Sequence, residues 1–384
     1  MVRRFMMVSA LMAGTVLACS MSGQVPRAVA DTGSADARIG RLQAMLDRLV
    51  RESDIPGAQL VITEHGRDTR ISSGVGDLAT GAPFPETAQV RIASTTKSFV
   101  AATVLLLVAE NKVELDAPVQ RYLPGVVHGP GGDGNVITVR NLLQHTSGIP
   151  DYLSKLDIST EAALRNPRPV EELIRLGLDQ PADFAPGAEF RYSNTNYLLV
   201  GALVERVTGR RLREEVTARV IEPLGLTDTY WPDFPREQVI RGPHPHGYAM
   251  LEGERVDIDA FDPSWGMADG AMVSTPADIN RYLMSLLSGR VLPAAQLAEM
   301  QRTVSLGDPE SPMAAAGLGL LHLPTECDHE TWSHDGGFPG YGVMNRATKD
   351  RAVTLVMNQL PEDPVLEGDT ALEAVIVENA LCGR

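Results

Sequence analysis

The chain carries no internal repeat and no low-complexity block, which excludes a solenoid or propeller and leaves one continuous fold to be read. It lacks an apolar run long enough to span a membrane, because the best candidate, Phe5 to Ala18, is too short. Positive charge is also scarce. Against 49 acidic residues stand 34 Lys and Arg, a formal net charge of -15. Residues 1–30 hold Arg3, Arg4 and Arg27 and no acid, so the remainder carries -18. Nucleic acid and anionic lipid heads repel so acidic a body, and neither is expected as a partner. Several hydrolase and nucleotide signatures are missing. Without a G-x-S-x-G there is no nucleophile elbow, and H-E-x-x-H and a Walker A loop are absent too. His244-Pro245-His246 is broken by proline, so i, i+4 ligation from one helix is impossible there. His65, His128, His322 and His329 stand alone and read as solvated or hydrogen-bonded structural residues. No metal or other cofactor is called for.

What is present is an ordinary globular composition, 43% hydrophobic and 22% charged over 384 residues, enough for one large core or two interleaved ones. The first 30 residues have the build of an export signal: two arginines, the apolar run, then small and polar residues. Ala28-Val29-Ala30 suits ordinary cleavage, while Val16-Leu17-Ala18-Cys19 loosely resembles a lipoprotein box. A secreted, periplasmic or extracellular location is therefore expected, with a lipoprotein anchored through Cys19 as the alternative. Membrane contact is expected only if Cys19 is lipidated. After cleavage at Ala30, Cys327 and Cys382 are the cysteines left, and an oxidising exterior would let them pair.

Apolar spacing predicts an amphipathic helix over Ala35 to Glu52, a strand over Gly57 to Thr63, and a meander through Arg70 to Gly74. From Ser94 the pattern becomes a helix apolar on most sides, Phe99 to Ala109, the mark of a buried one. Helices are then expected at Val139 to Gln144, Pro169 to Leu178, Asn196 to Thr208, Leu212 to Val220, Ala277 to Leu287 and Ala294 to Met300. Tyr341 to Ala347 and Ala352 to Asn358, split by Thr348 to Arg351, read as a hairpin, and Pro364 to Leu381 as a closing helix. This order means that the two ends of the chain build one sheet. The expected fold is α+β, an antiparallel sheet flanked by helices with an all-helical lobe inserted. Residues 31–90 with 305–384 would form the sheet lobe and 91–304 the helical lobe, with the active site between them.

Three short motifs carry chemistry. Ser94-Thr95-Thr96-Lys97 sits at the first turn of the buried helix, where residues three apart share a face, so the amine can reach the hydroxyl. Burial lowers the lysine pKa and makes a base available. Alone the pattern is weak, since a serine cap with a surface lysine explains it as well. Tyr192-Ser193-Asn194, just before a helix, offers a phenol and an amide. Trp332-Ser333-His334-Asp335-Gly336-Gly337 follows in the returning strands, where glycine allows close approach of a substrate backbone. The ordered trio is far more specific than any member.

These stretches, with His145-Thr146-Ser147-Gly148 and Ala185-Pro186-Gly187, resemble the serine β-lactamase and penicillin-binding protein superfamily. The protein is most similar to the secreted D-alanyl-D-alanine carboxypeptidases of single-chain build and to class C β-lactamase-like esterases. The resemblance runs from about Ile55 to Cys382. It implies a β-lactamase/DD-peptidase-like fold and an acyl-enzyme mechanism. Ser94 would be the nucleophile, Lys97 and Tyr192 would share the proton traffic, and His334 would stand where many relatives carry a lysine. Asn194, Asp335, Gly336 and Gly337 would line the substrate site, with the backbone N–H groups of Ser94 and Gly337 as the oxyanion hole. Trp265 resembles a residue lining the cleft, though a half-buried packing aromatic explains it equally.

A carboxypeptidase-like peptidase leads the expected activities, ahead of an esterase or D-amino-acid amidase, then a β-lactamase or a peptide cyclase. A penicillin-binding sensor without turnover is the non-enzymatic alternative. Small peptides or esters, including cell-wall peptides, are the expected substrates, and β-lactams the expected acylating ligands. The relatives hold a terminal carboxylate with a hydroxyl in the third motif and a basic residue on the next strand. Here Asp335 occupies that middle position and Gly317 to Thr325 holds no Arg or Lys. If Asp335 faces the cleft it repels free acids. If it pairs with an arginine such as Arg191, it does not.

Overall fold

The computed structural model describes residues 32–384 except 261–263, 265–266, 308–312, 328–329 and 369. The export-like segment with Cys19, and also Trp265 and His329, lie outside the described residues. Strand β1 (Gly57–Glu64) shows why the beginning and the end of the fold need each other. It is an apolar run, and all of its residues but the last are buried, so both faces need cover and both edges need partners. One edge pairs antiparallel with β2 (Arg67–Gly74), Leu60 opposite Ile71. The other takes a strand from the far end of the sequence, with Leu60 opposite Leu355.

Before that partner in sequence come β3 (Leu321–Leu323), β4 (Thr331–Ser333), β5 (Gly336–Phe338) and β6 (Tyr341–Ala347); the partner itself is β7 (Arg351–Met357). Among the described residues nine strands form one antiparallel sheet. It runs β2-β1-β7-β6-β4-β3 and on through Ala315–Ala316 to Val304–Ser305, with β5 also paired to β6. The β6–β7 hairpin falls where alternating apolar residues flank Thr348 to Asp350, as expected.

Period-two alternation splits β1 between two layers. Ala58, Leu60 and Ile62 join a core with Leu42, Leu46 and Leu49 of helix α1 (Thr32–Glu52) and with Ile376 and Val377 near the C-terminus. On the opposite face, the Asn280 amide donates to Val61 O and Thr63 Oγ1 and accepts from Thr354 Oγ1. Asn280 belongs to Pro276–Leu287, so a helix from the 91–304 segment covers this face of the sheet. Behind it lies α2 (Thr96–Ala109), buried from Thr96 through Leu105. Phe99 stacks on Tyr282 with centroids 3.7 Å apart, and Ser98 Oγ lies 2.9 Å from the Tyr282 hydroxyl. Helix α3 (Asn194–Thr208) packs against α2, giving the α+β sandwich with a helical body.

Three segments depart from expectation. The closing helix, α4 here, spans Leu372–Cys382 and is preceded by a small hairpin, Leu366–Glu367 with Thr370–Ala371. Gly368, at φ 63°, makes the turn that ends any continuous helix from Pro364. Leu212–Val216 is α-helical but widens into a π-turn over Thr217–Ile221. Within the stretch read as mainly helical, Tyr248–Leu251 and Glu254–Asp257 form a hairpin. Its turn residues Glu252 and Gly253 both have positive φ, and the Glu-Gly pair was the available signal.

Cys327 and Cys382 are disulfide-bonded across a sequence separation of 55. The link ties the stretch before β4 to the end of α4. Closing a loop of that length removes chain entropy from the unfolded state, worth roughly 4 kcal/mol on a chain-entropy estimate. Reduction, or the double change Cys327→Ala with Cys382→Ala, should lower the urea midpoint correspondingly without altering the slope much. A midpoint unmoved on confirmed reduction would remove the bond from the stability of this fold.

Candidate active site

The site begins with a backbone irregularity. Ala93 has φ 47°, a conformation that disfavours any residue with a Cβ, and it opens the short turn Ala93–Thr95 that runs into α2. Ser94 is the partly exposed residue of a stretch otherwise buried from Val90 to Val100. Three residues on, Lys97 is fully buried. Its Nζ lies 3.0 Å from Ser94 Oγ, 2.7 Å from Asn194 Oδ1 and 2.7 Å from the carbonyl oxygen of Asp269. Tyr192 completes the group. Lys97 Nζ sits 5.0 Å from its ring centre, and the Ser94 side chain draws the phenol pKa down against the larger effect of burial. The first two motifs therefore meet around Ser94.

The third motif arrives through backbone contacts. The His334 carbonyl accepts from Thr95 Oγ1 at 2.7 Å and from Asn345 Nδ2 at 2.8 Å, while its N–H donates to Asn345 Oδ1. Gly336 has a packing reason to be glycine. A Cβ there would stand 2.3 Å from the carbonyl oxygen of Ile92, so only a bare backbone lets the strand cross behind Ser94. Gly337 is exposed beside it, opposite Gly342 of β6. The His334 ring is 4% exposed, with centroids 6.3 Å from Tyr192. Its Nδ1 lies 3.0 Å from the Asp335 carbonyl, which can only accept, so Nδ1 carries the proton and Nε2 keeps a lone pair.

Asp335 corrects the reading in which its carboxylate faces the cleft and repels free acids. Both of its oxygens are bound by Arg346 Nη1, at 3.0 and 3.1 Å, and one also accepts the Asn345 N–H. The pairing alternative describes the structure, with a different arginine: Arg191 pairs with Asp183. Asn194 is also more committed than expected, since Nδ2 donates to Asp151 at 2.9 Å while Oδ1 takes Lys97.

Four residues to which the sequence assigned no role join the site: Asp269, Tyr152, Asp151 and His145. Asp269 offers Lys97 its carbonyl, and its carboxylate accepts from the Tyr152 hydroxyl at 3.0 Å. Asp151 caps the turn after Pro150 through Leu153 N and holds Asn194. His145, at φ 57°, stacks on the Tyr192 ring at 4.3 Å and accepts the Ser193 N–H at Nδ1. The only hint for Asp151 and Asp269 was an acid inside otherwise apolar surroundings. Burial is the largest influence on every ionisable group here. It draws Lys97 down to about 8 against the pull of Asp269 and Asp151, and pushes Asp269 up to about 6. It lowers His334 to about 3, helped by the charge on Lys97, and lowers His145 in the same way. Tyr192 is raised well above the usual phenol range. At neutral pH both imidazoles are neutral. Among the described residues no group of three or more His, Cys, Asp or Glu could hold a metal ion.

Comparison with known proteins bears on these residues. The Beta-lactamase family model matches residues 42–378. Esterase EstB of Burkholderia gladioli is 39% identical over 198 residues, 49% of this chain and 50% of the esterase. Protein flp of Staphylococcus aureus (strain COL) is 24% identical over 282 residues, 72% of this chain and 55% of its own length. The chain thus spans about half the length of these curated relatives. Among solved structures, a D-stereospecific amidohydrolase from Streptomyces sp. superposes with a TM-score of 0.80 at 32% identity, covering 90% of this chain and 99% of that one. The D-amino acid amidase from Ochrobactrum anthropi SV3 complexed with D-phenylalanine gives 0.77 at 27% identity, over 91% and 98%.

The two neutral imidazoles make stability pH-dependent with a definite sign. Their folded pKa values lie below those of the unfolded chain, near 6.5. Below about pH 6.5 the unfolded chain therefore binds more protons, and stability falls as pH drops toward about 3 for His334. The slope is up to about 1.4 kcal/mol per pH unit per histidine. Urea midpoints between pH 7 and pH 4.5 should fall less steeply in His334→Gln than in the parent. Equal slopes would mean that this ring ionises freely in the fold.

Proposed function

The chain belongs to the beta-lactamase family, and from that we propose that it is an acyl-enzyme hydrolase acting on D-amino-acid amides and related esters, with Ser94 as nucleophile. One observation carries the reading: the Ser94 hydroxyl is hydrogen-bonded to a buried lysine, 3.0 Å away, whose amine also lies 5.0 Å from the Tyr192 ring. Such a hydroxyl can lose its proton as it attacks. The Ser94 Oγ–H bond breaks as Oγ bonds the substrate carbonyl carbon. The proton passes through the Lys97–Tyr192 pair to the departing amine or alcohol. Water then takes the acyl group from Ser94 by the reverse transfer. The backbone N–H groups of Ser94 and Gly337 are the proposed oxyanion donors, each worth roughly 10² to 10³ in rate.

The charge of the site supports an amide or ester over a free D-alanyl-D-alanine terminus. Among the described residues the cation on Ser94 is Lys97, which is buried and fully engaged. His334 is neutral, and Arg346 is occupied by Asp335. A terminal carboxylate would enter without a counter-charge, in a site that already holds the partly buried Asp151 and the buried Asp269. The amidohydrolase and amidase that superpose on the chain, and the related esterase, point to the same substrate class. A carboxypeptidase or β-lactamase action on cell-wall peptides or β-lactams stands behind it. We also propose an exterior location, supported by the Cys327–Cys382 disulfide and the export-like first 30 residues. Intact mass of the secreted protein tests it.

The activity is checked by comparing kcat/KM for D-phenylalanine amide, its L-enantiomer, a p-nitrophenyl ester, a D-Ala-D-Ala peptide and a chromogenic cephalosporin. The D-amide or the ester should exceed the free-acid peptide at least tenfold, roughly the effect of 1.4 kcal/mol. Ser94→Ala should abolish turnover and covalent labelling, and Tyr192→Phe should slow acylation by roughly 10² or more. Faster cleavage of the D-Ala-D-Ala peptide would make the enzyme a carboxypeptidase instead. Turnover surviving in Ser94→Ala would overturn the nucleophile.

A further inference from the structure

Tyr192 is placed by a residue far from it in sequence. The short helix Val139–Leu143 ends with the Thr146 N–H donating to the Asn141 carbonyl at 2.9 Å and the His145 N–H to the Leu142 carbonyl at 3.4 Å. Such a pair of bonds closes a helix around one left-handed residue, a place that glycine ordinarily takes because a Cβ is disfavoured there. Here His145 takes it, at φ 57°. A side chain kept where the backbone resists one calls for a use, and the contacts of the residue supply it. Its carbonyl accepts the Arg191 N–H at 3.0 Å. Its ring lies on the Tyr192 ring, centroids 4.3 Å apart and planes 24° from parallel. Its Nδ1 accepts the Ser193 N–H at 3.2 Å. Three consecutive residues are held by three different parts of one histidine.

The ring is itself fixed. Phe190 meets it edge-on at 6.0 Å, and Tyr197, tilted, at 5.3 Å. Asn196, whose Oδ1 accepts from Ser147 Oγ at 2.6 Å, brings its Nδ2 to 3.4 Å from the same Nδ1. Both neighbours donate, so Nδ1 carries the lone pair and Nε2 the proton. Nε2 is buried with no hydrogen-bond partner among the described residues. A bare buried N–H is unfavourable, and an apolar side chain would fill the space without one, so packing alone does not account for a histidine. We propose that His145 is a positioning residue for Tyr192, its ring face and Nδ1 forming a jig that sets where the phenol stands for proton delivery to the leaving group. The inference rests on the acyl-enzyme reading above, in which the Ser94 proton reaches the departing amine or alcohol through the Lys97–Tyr192 pair. His145 exchanges no proton in that step. An amide nitrogen must gain a proton as its bond to the acyl carbon breaks, whereas p-nitrophenolate departs as the anion. A misplaced phenol therefore slows amides more than activated esters, and a shift of about 1 Å can cost roughly 10² in rate.

The experiment compares kcat/KM for D-phenylalanine amide and for the p-nitrophenyl ester of D-phenylalanine in the parent and in His145→Asn. Asparagine suits the left-handed position and offers an acceptor, but has no ring to lie on Tyr192. Amide turnover should fall by about 10², and ester turnover by at least tenfold less. In a Tyr192→Phe background the same change should no longer alter the amide-to-ester ratio, because the hydroxyl that His145 positions is gone. Equal losses on the two substrates, or a shift in ratio that persists in Tyr192→Phe, would overturn the proposal. Nitrogen NMR of the parent, which needs no variant to fold, should find the His145 ring with its proton on Nε2. A proton on Nδ1 would overturn the proposal as well. Failure of a fluorophosphonate to label Ser94 in the parent would instead strike the acyl-enzyme reading beneath it.

Discussion

A single buried amine organises this molecule. Lys97 is wholly removed from solvent inside an apolar helical body, a placement that is unfavourable for a charge unless acceptors surround it. The three that do come from separate parts of the sequence: the turn that opens the same helix, the first residue of α3, and the turn at Asp269. Moving any of them would leave a donor or acceptor bare in a dry interior, at a cost of about 1–3 kcal/mol for each neutral group and more for the ammonium. The packing of α2 against α3 and against the Met267–Gly270 turn is thereby tied to one geometry of Ser94.

The sheet is fastened to that geometry by its backbone. Thr95 and Asn345 hold the His334 peptide from two directions, and Asn345 also lies 3.4 Å from Thr95 Oγ1. Gly336 permits the crossing over Ile92, and the Asp335–Arg346 pair fixes the strand next to it. Side chains of the third motif that could have served a ligand serve the seam instead. His334 is the exception. Its peptide is clamped, yet its Nε2 keeps a free lone pair, so it presents a neutral acceptor where a lysine would present a cation.

This substitution changes the balance of the whole site. With both imidazoles neutral, the charges near Ser94 among the described residues are Lys97 and the carboxylates of Asp151 and Asp269. A cleft so charged selects by what it fails to neutralise. Under the proposed activity, such a cleft would accommodate an uncharged leaving group more readily than a carboxylate.

Local pattern alone was enough for much of this. Apolar runs and turn residues announced β1, α2 and the β6–β7 hairpin, because hydrophobic period and backbone propensity act over a few neighbours. The joining of the two termini in one sheet followed from element order. The Ser94–Lys97 pair was legible because residues three apart on a helix must share a face, and the Cys327–Cys382 link because two cysteines remained beyond the export-like segment. Tertiary structure alone decided what Asp335 does, since its partner Arg346 stands eleven residues away, across the turn between β5 and β6. It alone gave Asp151 and Asp269 to the site. An isolated acid in a sequence carries no mark of burial, and burial raises the pKa of a carboxylate that water would otherwise solvate.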